Sequence, residues 1–430
     1  MNYLSGSILA RFLVFSMLIV GPWCFVFVVR FFGPITYPQV SMELLFFLVI
    51  CVAIKYFAFC LGFFLLSTFN QSVVQVSNLS GRCSNEMGSV FPRVRLMVLC
   101  LAVTYLLVSL FDFFFVKGAA LSMIVEQREA EHLTGPRNSL IGAIGALLSG
   151  GPPMLLAIMI FSRFQSFPLN FSVYIVIALG FASMFLSGGR NAFFISAAFV
   201  FFCYVFFSAY SAKMLIKPSV TRFFALLFFL YCMYFSMRMF LDRFEAQGFE
   251  IGFMLQYLEL EYGVKVFRFD YDGALFVAAY SALVYLSFYI THAFTYLNDY
   301  FVAAYSPYMG GGYNFPQLAR LIDVAFGSNF FEGGRERMLL VGVYLTLPGS
   351  LYLDFGVVGS LVFSSLIGLC CGYLARNLAR LALYQKLWLA YIAVALVFSP
   401  IYSIFGMANG FSMIFILILV VLFSMKVRYV

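Results

Sequence analysis

The chain has 430 residues, of which 63% are hydrophobic and only 10% are charged. An average globular chain has about a quarter of its residues charged, so this composition excludes a soluble protein. The net charge of +8 comes from short basic groups that lie between apolar runs, which indicates membrane topology rather than nucleic-acid binding. We therefore expect one membrane-embedded domain over residues 1–430, with the lipid bilayer and no nucleic acid as partner.

Windows of about 20 residues predict an all-α polytopic membrane protein with about ten transmembrane helices. The first run, between Arg11 and Arg30, is too long for a signal-peptide core and has no cleavage pattern, so we expect it to be retained. The predicted spans are 10–30, 43–68, 96–116, 139–161, 170–187, 191–211, 222–241, 351–374, 387–405 and 411–425.

The basic residues concentrate in alternate connections, which the positive-inside rule places in the cytoplasm. Both termini are then cytoplasmic, in a multi-pass protein of a bacterial inner membrane. The long segment 242–350, between the seventh and eighth spans, becomes a periplasmic loop. Within it, 274–306 is predicted to form amphipathic or re-entrant helices, or a hairpin of two spans. The basic residues that indicate the cytoplasmic side are Arg82, Arg93, Arg95, Arg163, Lys213, Lys217, Arg222, Arg376, Arg380, Lys386, Lys426 and Arg428.

The cysteines and acidic pairs give no sign of a disulfide framework, a metal or another cofactor. Eight of the nine cysteines lie inside predicted spans, and Cys83 lies in a basic loop. Asp270 and Asp272 have a spacing that suits a divalent cation, but a three-residue pattern is weak. Gly368 and Gly372 form a small-xxx-small pair, which predicts close approach of another helix.

The most informative local motif is the turn 187–191, which opens a helix on the non-cytoplasmic side. Gly188 and Gly189 leave backbone N–H groups free at a positive helix terminus, and Arg190 adds a guanidinium. These are the components of a phosphate site. The alternative is an interfacial arginine that follows a tight turn.

A second group of glycines and charges lies near the end of the long loop. Glycine-rich turns such as 310–314 can offer backbone N–H groups to phosphate, and paired arginines can clamp it. The alternative is a solvated loop with internal ion pairs. The candidate phosphate ligands are Tyr313, Arg320, Arg335 and Arg337.

The order of these features resembles the O-antigen polymerase family, which polymerises lipid-linked oligosaccharide repeat units. The resemblance rests on the turn 186–190, on the long penultimate loop, and on the stretch 345–359, LTLPGSLYLDFGVVG. It implies a membrane glycosyltransferase of the GT-C type that moves a growing glycan from undecaprenyl diphosphate onto a lipid-linked repeat unit. It also implies a diphosphate-binding role for Arg190 and a chain-length-regulating co-polymerase as partner.

Transfer of a sugar from a lipid diphosphate needs a base for the attacking hydroxyl, and His292, Asp323 and Glu336 are the candidates. A histidine in an aromatic helix is also a common structural residue. We expect Asp354 to fix the loop rather than to react. The alternative functions are an O-antigen ligase and a flippase of the same lipid. Because the predicted spans carry few charges, Lys55 and Asp112 being exceptions, surface chemistry is favoured over translocation.

Overall fold

The computed structural model describes residues 8–66, 82–116, 118, 140–164, 171–186, 190–208, 251–267, 274–306, 308–329, 334, 336, 338–339 and 344–426. The first seven helices are α1 (Ile8–Phe32), α2 (Met42–Leu61), α3 (Arg82–Phe111), α4 (Leu140–Leu148), α5 (Gly151–Phe164), α6 (Phe171–Leu186) and α7 (Arg190–Ser208). The others are α8 (Ile251–Tyr262), α9 (Ala274–Val302), α10 (Pro316–Phe326), α11 (Leu347–Arg376), α12 (Leu383–Phe398) and α13 (Ala408–Lys426). Two strands, β1 (Ile35–Thr36) and β2 (Lys265–Val266), pair antiparallel.

The helices confirm an all-α membrane protein. By length and composition, the helical stretches able to cross a bilayer are Ile8–Phe32, Met42–Leu65, Phe91–Val116, Ile141–Ser162 and Leu347–Arg376. Four shorter helices are also apolar, namely Phe171–Met184, Asn191–Phe207, Leu383–Phe398 and Ala408–Ser424. The predicted span 222–241 lies outside the described residues.

Helices α2 and α11 pack with their backbones in contact, as the small-xxx-small pair predicted. A Cβ at Gly368 would lie 2.1 Å from the carbonyl oxygen of Lys55, and one at Gly372 would lie 2.2 Å from that of Phe59. Any larger side chain would force the helices apart. Because 55 faces 368 and 59 faces 372, α2 and this part of α11 run in the same direction.

Helix α11 is broken at Gly356, whose φ of 67° and ψ of −168° are not helical. The Ser360 hydroxyl donates to the carbonyl oxygen of Pro348 at 3.3 Å, whereas in a continuous helix these residues would be about 18 Å apart. The chain therefore folds back at Gly356. Residues 347–355 form a short half-helix, and 357–376 form the part that crosses, so the predicted span 351–374 begins too early.

The predicted span 139–161 is interrupted where α4 meets α5. Pro152 and Pro153 cannot donate backbone hydrogen bonds, so they are tolerated only in the first turn of a new helix. The amide of Gly150 donates instead to the Ser412 hydroxyl of α13, at 2.7 Å. This contact ties the break to the start of α13.

Helix α9 is one continuous helix, so 274–306 is not a hairpin of two spans. Its first half packs on the strand pair and α8 through Val284, Tyr285 and Phe288. Its second half packs between α1 and α2, where Phe294 contacts Trp23 with ring centroids 6.0 Å apart. Both halves therefore present aromatic residues to other elements of the protein.

Arg30, near the end of α1, connects α1 to α9 through hydrogen bonds. Its guanidinium donates to the carbonyl oxygens of Thr291 and Pro38 and to the Thr295 hydroxyl, each at 3.3 Å. It also lies over the ring of Tyr37, 4.6 Å from the centroid. Hydrogen bonds from a buried cation to neutral acceptors, together with its contact with an aromatic face, stabilise the packing of α1 against α9.

Candidate functional site

Three non-helical segments meet at the end of the bundle where α2 begins and where α11 turns at Gly356. We call this the loop end. The segments are the glycine loop (308–315), the stretch 344–346 and the turn 399–407. A Cβ at Gly406 would lie 3.0 Å from the carbonyl oxygen of Tyr313, so the turn lies directly against the glycine loop.

The buried carboxylate of Asp354 organises the glycine loop. It accepts hydrogen bonds from the backbone amides of Tyr313 and Asn314, each at 2.9 Å, and from the Asn314 side-chain amide at 2.7 Å. The Gly311 amide also donates to it. Each of these groups is a neutral donor, so the loop forms a nest of N–H groups around a carboxylate of the same chain.

The same loop satisfies the carbonyl groups that are left free where the half-helix ends. The amides of Met309 and Gly310 donate to the carbonyl oxygens of Leu353 and Asp354, each at 3.0 Å. Buried backbone carbonyl groups need such partners, because an unpaired one costs free energy. The half-helix and the glycine loop therefore form one hydrogen-bonded unit.

Asn314 links this unit to the turn between α12 and α13. Its side-chain oxygen accepts from the hydroxyls of Ser350, at 3.0 Å, and Ser403, at 2.6 Å, while its nitrogen donates to Asp354. The Asn314 side chain is fully buried, so its polar groups are satisfied within the protein. The result is a polar network that joins the glycine loop, α11 and the turn.

The network continues down to Lys55 on α2. The amide of Leu347 donates to the carbonyl oxygen of Ser399 at 2.8 Å, and the Lys55 ammonium donates to the Ser399 hydroxyl at 3.3 Å. Lys55 packs beside Gly368, twelve residues and thus about 18 Å below Gly356 along α11. The polar layer therefore extends from the loop end into the apolar bundle.

The short length of α12 makes room for this layer. The predicted span 387–405 ends at Phe398, because Pro400, two residues later, has no backbone N–H with which to continue the helix. The chain then runs without α-helix until Ala408. The predicted external turn at 406–410 therefore begins earlier in the sequence, at Ser399.

The glycine turn does not offer free backbone N–H groups to phosphate in the way that the sequence suggested. The amides of Gly311, Tyr313 and Asn314 are bonded to Asp354, and that of Gly312 donates to the carbonyl oxygen of Met309. The Tyr313 side chain points into the protein, where burial raises the pKa of its hydroxyl. In this structure the backbone amides of the glycine turn surround Asp354, and the role of Tyr313 in binding diphosphate stays a prediction.

The predicted arginine segments converge on the loop end, although their side chains lie outside the described part of the chain. Arg190 is the first residue of α7, and the next side chain, Asn191, contacts the sulfur of Met407 at 4.0 Å. Gly334 lies against the side chain of Met309 and therefore beside the glycine loop. The predicted ligand positions Gly188, Gly189, Arg335 and Arg337 lie outside the described residues. Arg320 lies on α10, and its side chain is not described.

His292 lies away from the loop-end network, in the aromatic cluster of α8 and α9. It is 6% exposed, its Nδ1 bonds the carbonyl oxygen of Phe288 at 3.1 Å, and its ring stacks on that of Phe288. Burial lowers the pKa of His292 to about 4, and α9 is not among the candidate spans. A buried ring with a bonded Nδ1 has the environment of a structural histidine rather than of a general base.

The two carboxylate candidates differ in how they are engaged. Asp323 accepts from the Ser328 hydroxyl at 2.6 Å, and its carbonyl oxygen accepts from the amide of Ser328 at 3.2 Å, so it secures the end of α10. Glu336 is exposed, close to the segment that touches Met309. Of the three predicted bases, Glu336 is the one that combines exposure with proximity to the glycine loop.

Metal-binding residues do not cluster in the part of the chain that the structure describes. Asp270 and Asp272 lie outside that part.

Comparisons with known protein families, curated proteins and solved structures give no match. The function is therefore inferred from the residues of the loop end.

Sequence reasoning missed most of the loop-end network. Asn314 follows three glycines and a tyrosine, and its partners Ser350 and Ser403 lie 36 and 89 residues away, so no local pattern joins them. Two signals were available, however. Lys55 interrupts an apolar run, and Ser399-Pro400 interrupts another; each marks a point where polar groups enter the bundle.

Proposed function

We propose that this chain is a repeat-unit polymerase. It would transfer a growing glycan from undecaprenyl diphosphate onto the next lipid-linked oligosaccharide, at the periplasmic face of a bacterial inner membrane. The observation that supports this most is that the start of α7, with Arg190, lies beside Met407 and that Gly334 lies beside Met309, both at the loop end. Cations near a polar, helix-lined surface are what a lipid diphosphate donor requires.

In the proposed reaction, the anomeric C–O bond to the diphosphate breaks and a glycosidic C–O bond to the acceptor hydroxyl forms. The proton of that hydroxyl passes to a base, for which the exposed carboxylate of Glu336 is the best-placed described candidate. The leaving diphosphate keeps the bonding electrons, and Arg190 would stabilise the added negative charge. The buried network of Asp354 and Asn314 would position the loop without reacting.

A reconstituted reaction tests the proposal. Purified protein in lipid vesicles is given its lipid-linked repeat unit, with and without EDTA, and the products are separated by length on a gel. We expect a ladder of products, because a polymerase adds units repeatedly. Single transfers to a lipid core without a ladder would instead identify a ligase, and movement of intact lipid across the bilayer would identify a flippase.

Arg190 provides the sharpest variant. Arg190→Ala should abolish the ladder while the protein remains in the membrane, since the diphosphate would lose a cation, and Arg190→Lys should retain part of the activity. Arg93→Ala is a matched control, because Arg93 is an exposed arginine of α3 that the topology places on the opposite side. A normal ladder from Arg190→Ala would exclude the proposed role of this residue.

A further inference from the structure

Helix α10 carries an apolar stripe that is exposed in the part of the chain that the structure describes. Its eleven residues begin at Pro316 and end before Gly327, which has a φ of 60°. Leu318, Ile322 and Phe326 are spaced four apart, so they lie on one side of the helix. They are 46%, 36% and 80% exposed. A contiguous outward stripe of this kind marks an interaction surface.

The helix is anchored at the loop end of the bundle. The ring of Phe315, immediately before α10, packs against Phe405 and Phe411 with ring centroids 6.3 and 6.1 Å apart. Ala319, in the first turn, is buried. The start of α10 is therefore held by the turn 399–407 and by the beginning of α13, and the stripe extends outward from that point.

The stripe continues an apolar surface that already faces outward on α11. The crossing part of α11 begins at the Gly356 turn and exposes a row of apolar side chains: Val357, Val358, Val362, Phe363 and Leu366. Tyr308 begins the glycine loop, which leads from the Gly356 turn to α10. Its ring packs on Gly356 and is 65% exposed, as is typical of tyrosines at the membrane interface.

We propose that α10 lies in the interface of the leaflet at the loop end, with Leu318, Ile322 and Phe326 among the lipid acyl chains. The partner is the bilayer itself, because the start of α10 and the start of the exposed row of α11 meet at the glycine loop: a Cβ at Gly311 would lie 3.6 Å from the ring of Phe315 and 3.7 Å from that of Phe355. Beyond Gly327 the exposed residues are Ser328 and Asn329, which return the chain to water. An amphipathic helix in this position holds the glycine loop at a fixed height above the acyl chains. The proposal does not depend on the polymerase assignment.

Tryptophan quenching by brominated lipids tests this placement. The two native tryptophans, Trp23 and Trp388, are replaced by phenylalanine, and single reporters are introduced as Phe326→Trp, Val358→Trp and Glu336→Trp. Val358 belongs to the lipid-facing row, and Glu336 is an exposed charged position. In vesicles with lipids brominated near the headgroup, the reporter at 326 should lose about as much emission as the one at 358, and the reporter at 336 should lose little.

Two results would overturn the proposal. A red-shifted, unquenched reporter at 326 would place the stripe in water, and a blue-shifted, unquenched one would place it against protein. If the tryptophan-free background does not fold, a photo-crosslinking phenylalanine analogue at 326 in the native chain replaces it. Adducts to lipid would then support the proposal, and adducts to protein alone would contradict it.

Discussion

Asp354 is a buried carboxylate that is held by neutral amides of the glycine loop. In Asp354→Asn, one side-chain oxygen becomes a donor and leaves buried amides without an acceptor, which costs about 1–3 kcal/mol for each unsatisfied group. We expect a lower melting temperature for the detergent-solubilised protein and weaker activity. Asp323→Asn, on the surface of α10, is the control and should melt close to the wild type. Equal melting temperatures for the two variants would contradict the anchoring role of Asp354.

His292 gives a prediction about pH. Its pKa in the folded protein is about 4, below the ordinary value of 6.5, because the ring is buried. Between these values the unfolded chain binds a proton that the folded protein does not, so stability should fall as pH is lowered from 6.5 to 4 and be fully present above 6.5. His292→Phe retains the ring stacking and removes the titration. It should flatten the unfolding curve over this range and leave activity near neutral pH intact. Loss of turnover in a folded His292→Phe protein would restore His292 as a base.

At the scale of the element, the turn at Gly356 depends on glycine for two reasons. Its φ of 67° and ψ of −168° belong to a region that is almost exclusive to glycine, and a Cβ would lie 2.8 Å from the ring of Tyr308. Gly356→Ala should therefore cost at least about 1–3 kcal/mol, seen as a lower melting temperature. Gly21→Ala is the control, because a Cβ there meets nothing within 4 Å. If Gly356→Ala melted like Gly21→Ala, the half-helix would not need this turn.

Lys55 of α2 places a cation at the C-terminal end of the short helix α12. It is 1% exposed, and within the described part of the chain its hydrogen-bond partner is the Ser399 hydroxyl, with no carboxylate beside it. The end of a helix carries partial negative charge, which favours a cation. We expect Lys55→Met to fold and to melt slightly below the wild type, because the apolar chain fits the same space. Lys55→Glu should fail to assemble, because it places an uncompensated negative charge there. A stable Lys55→Glu protein would show that this end of α12 does not select a cation.

The all-α membrane character followed from the sequence, because length and hydropathy predict membrane helices. The number of ten spans stays a prediction, since five helices of the described residues are long and apolar enough to cross a bilayer. Gly368 and Gly372 also predicted close helix packing, which the backbone distances to α2 confirm. The reversal at Gly356 was not predicted, since a glycine inside an apolar run fits a packed helix as well as a turn. Asp354 was expected to fix the loop, and it does, but its partners lie about 40 residues away in the sequence and only folding brings them together.

At the scale of the whole molecule, the distribution of basic residues predicts the orientation of the bundle. If the positive-inside rule holds, the loop end faces the periplasm, and the connection between α11 and α12, which contains Arg380, faces the cytoplasm. Alkaline phosphatase, active only after export, can be inserted after Asn329 or after Asn377. We expect activity from the first insertion and none from the second, since the crossing part of α11 separates the two sites. The reverse pattern would invert the bundle and place the glycine loop in the cytoplasm.

The polar layer also sets the order of assembly. Leu347 and Lys55 obtain their partners from Ser399, and Asn314 obtains one from Ser403, across as many as 344 residues of sequence. A nascent chain that has inserted only as far as α11 holds a lysine and a half-helix start whose partners have not yet been synthesised. The turn between α12 and α13 therefore completes these hydrogen bonds only late in membrane insertion. The loop end reaches its final form only when the whole chain has entered the membrane, so a chain cut short before α12 should be recognised by membrane proteases rather than persist as a partly folded protein.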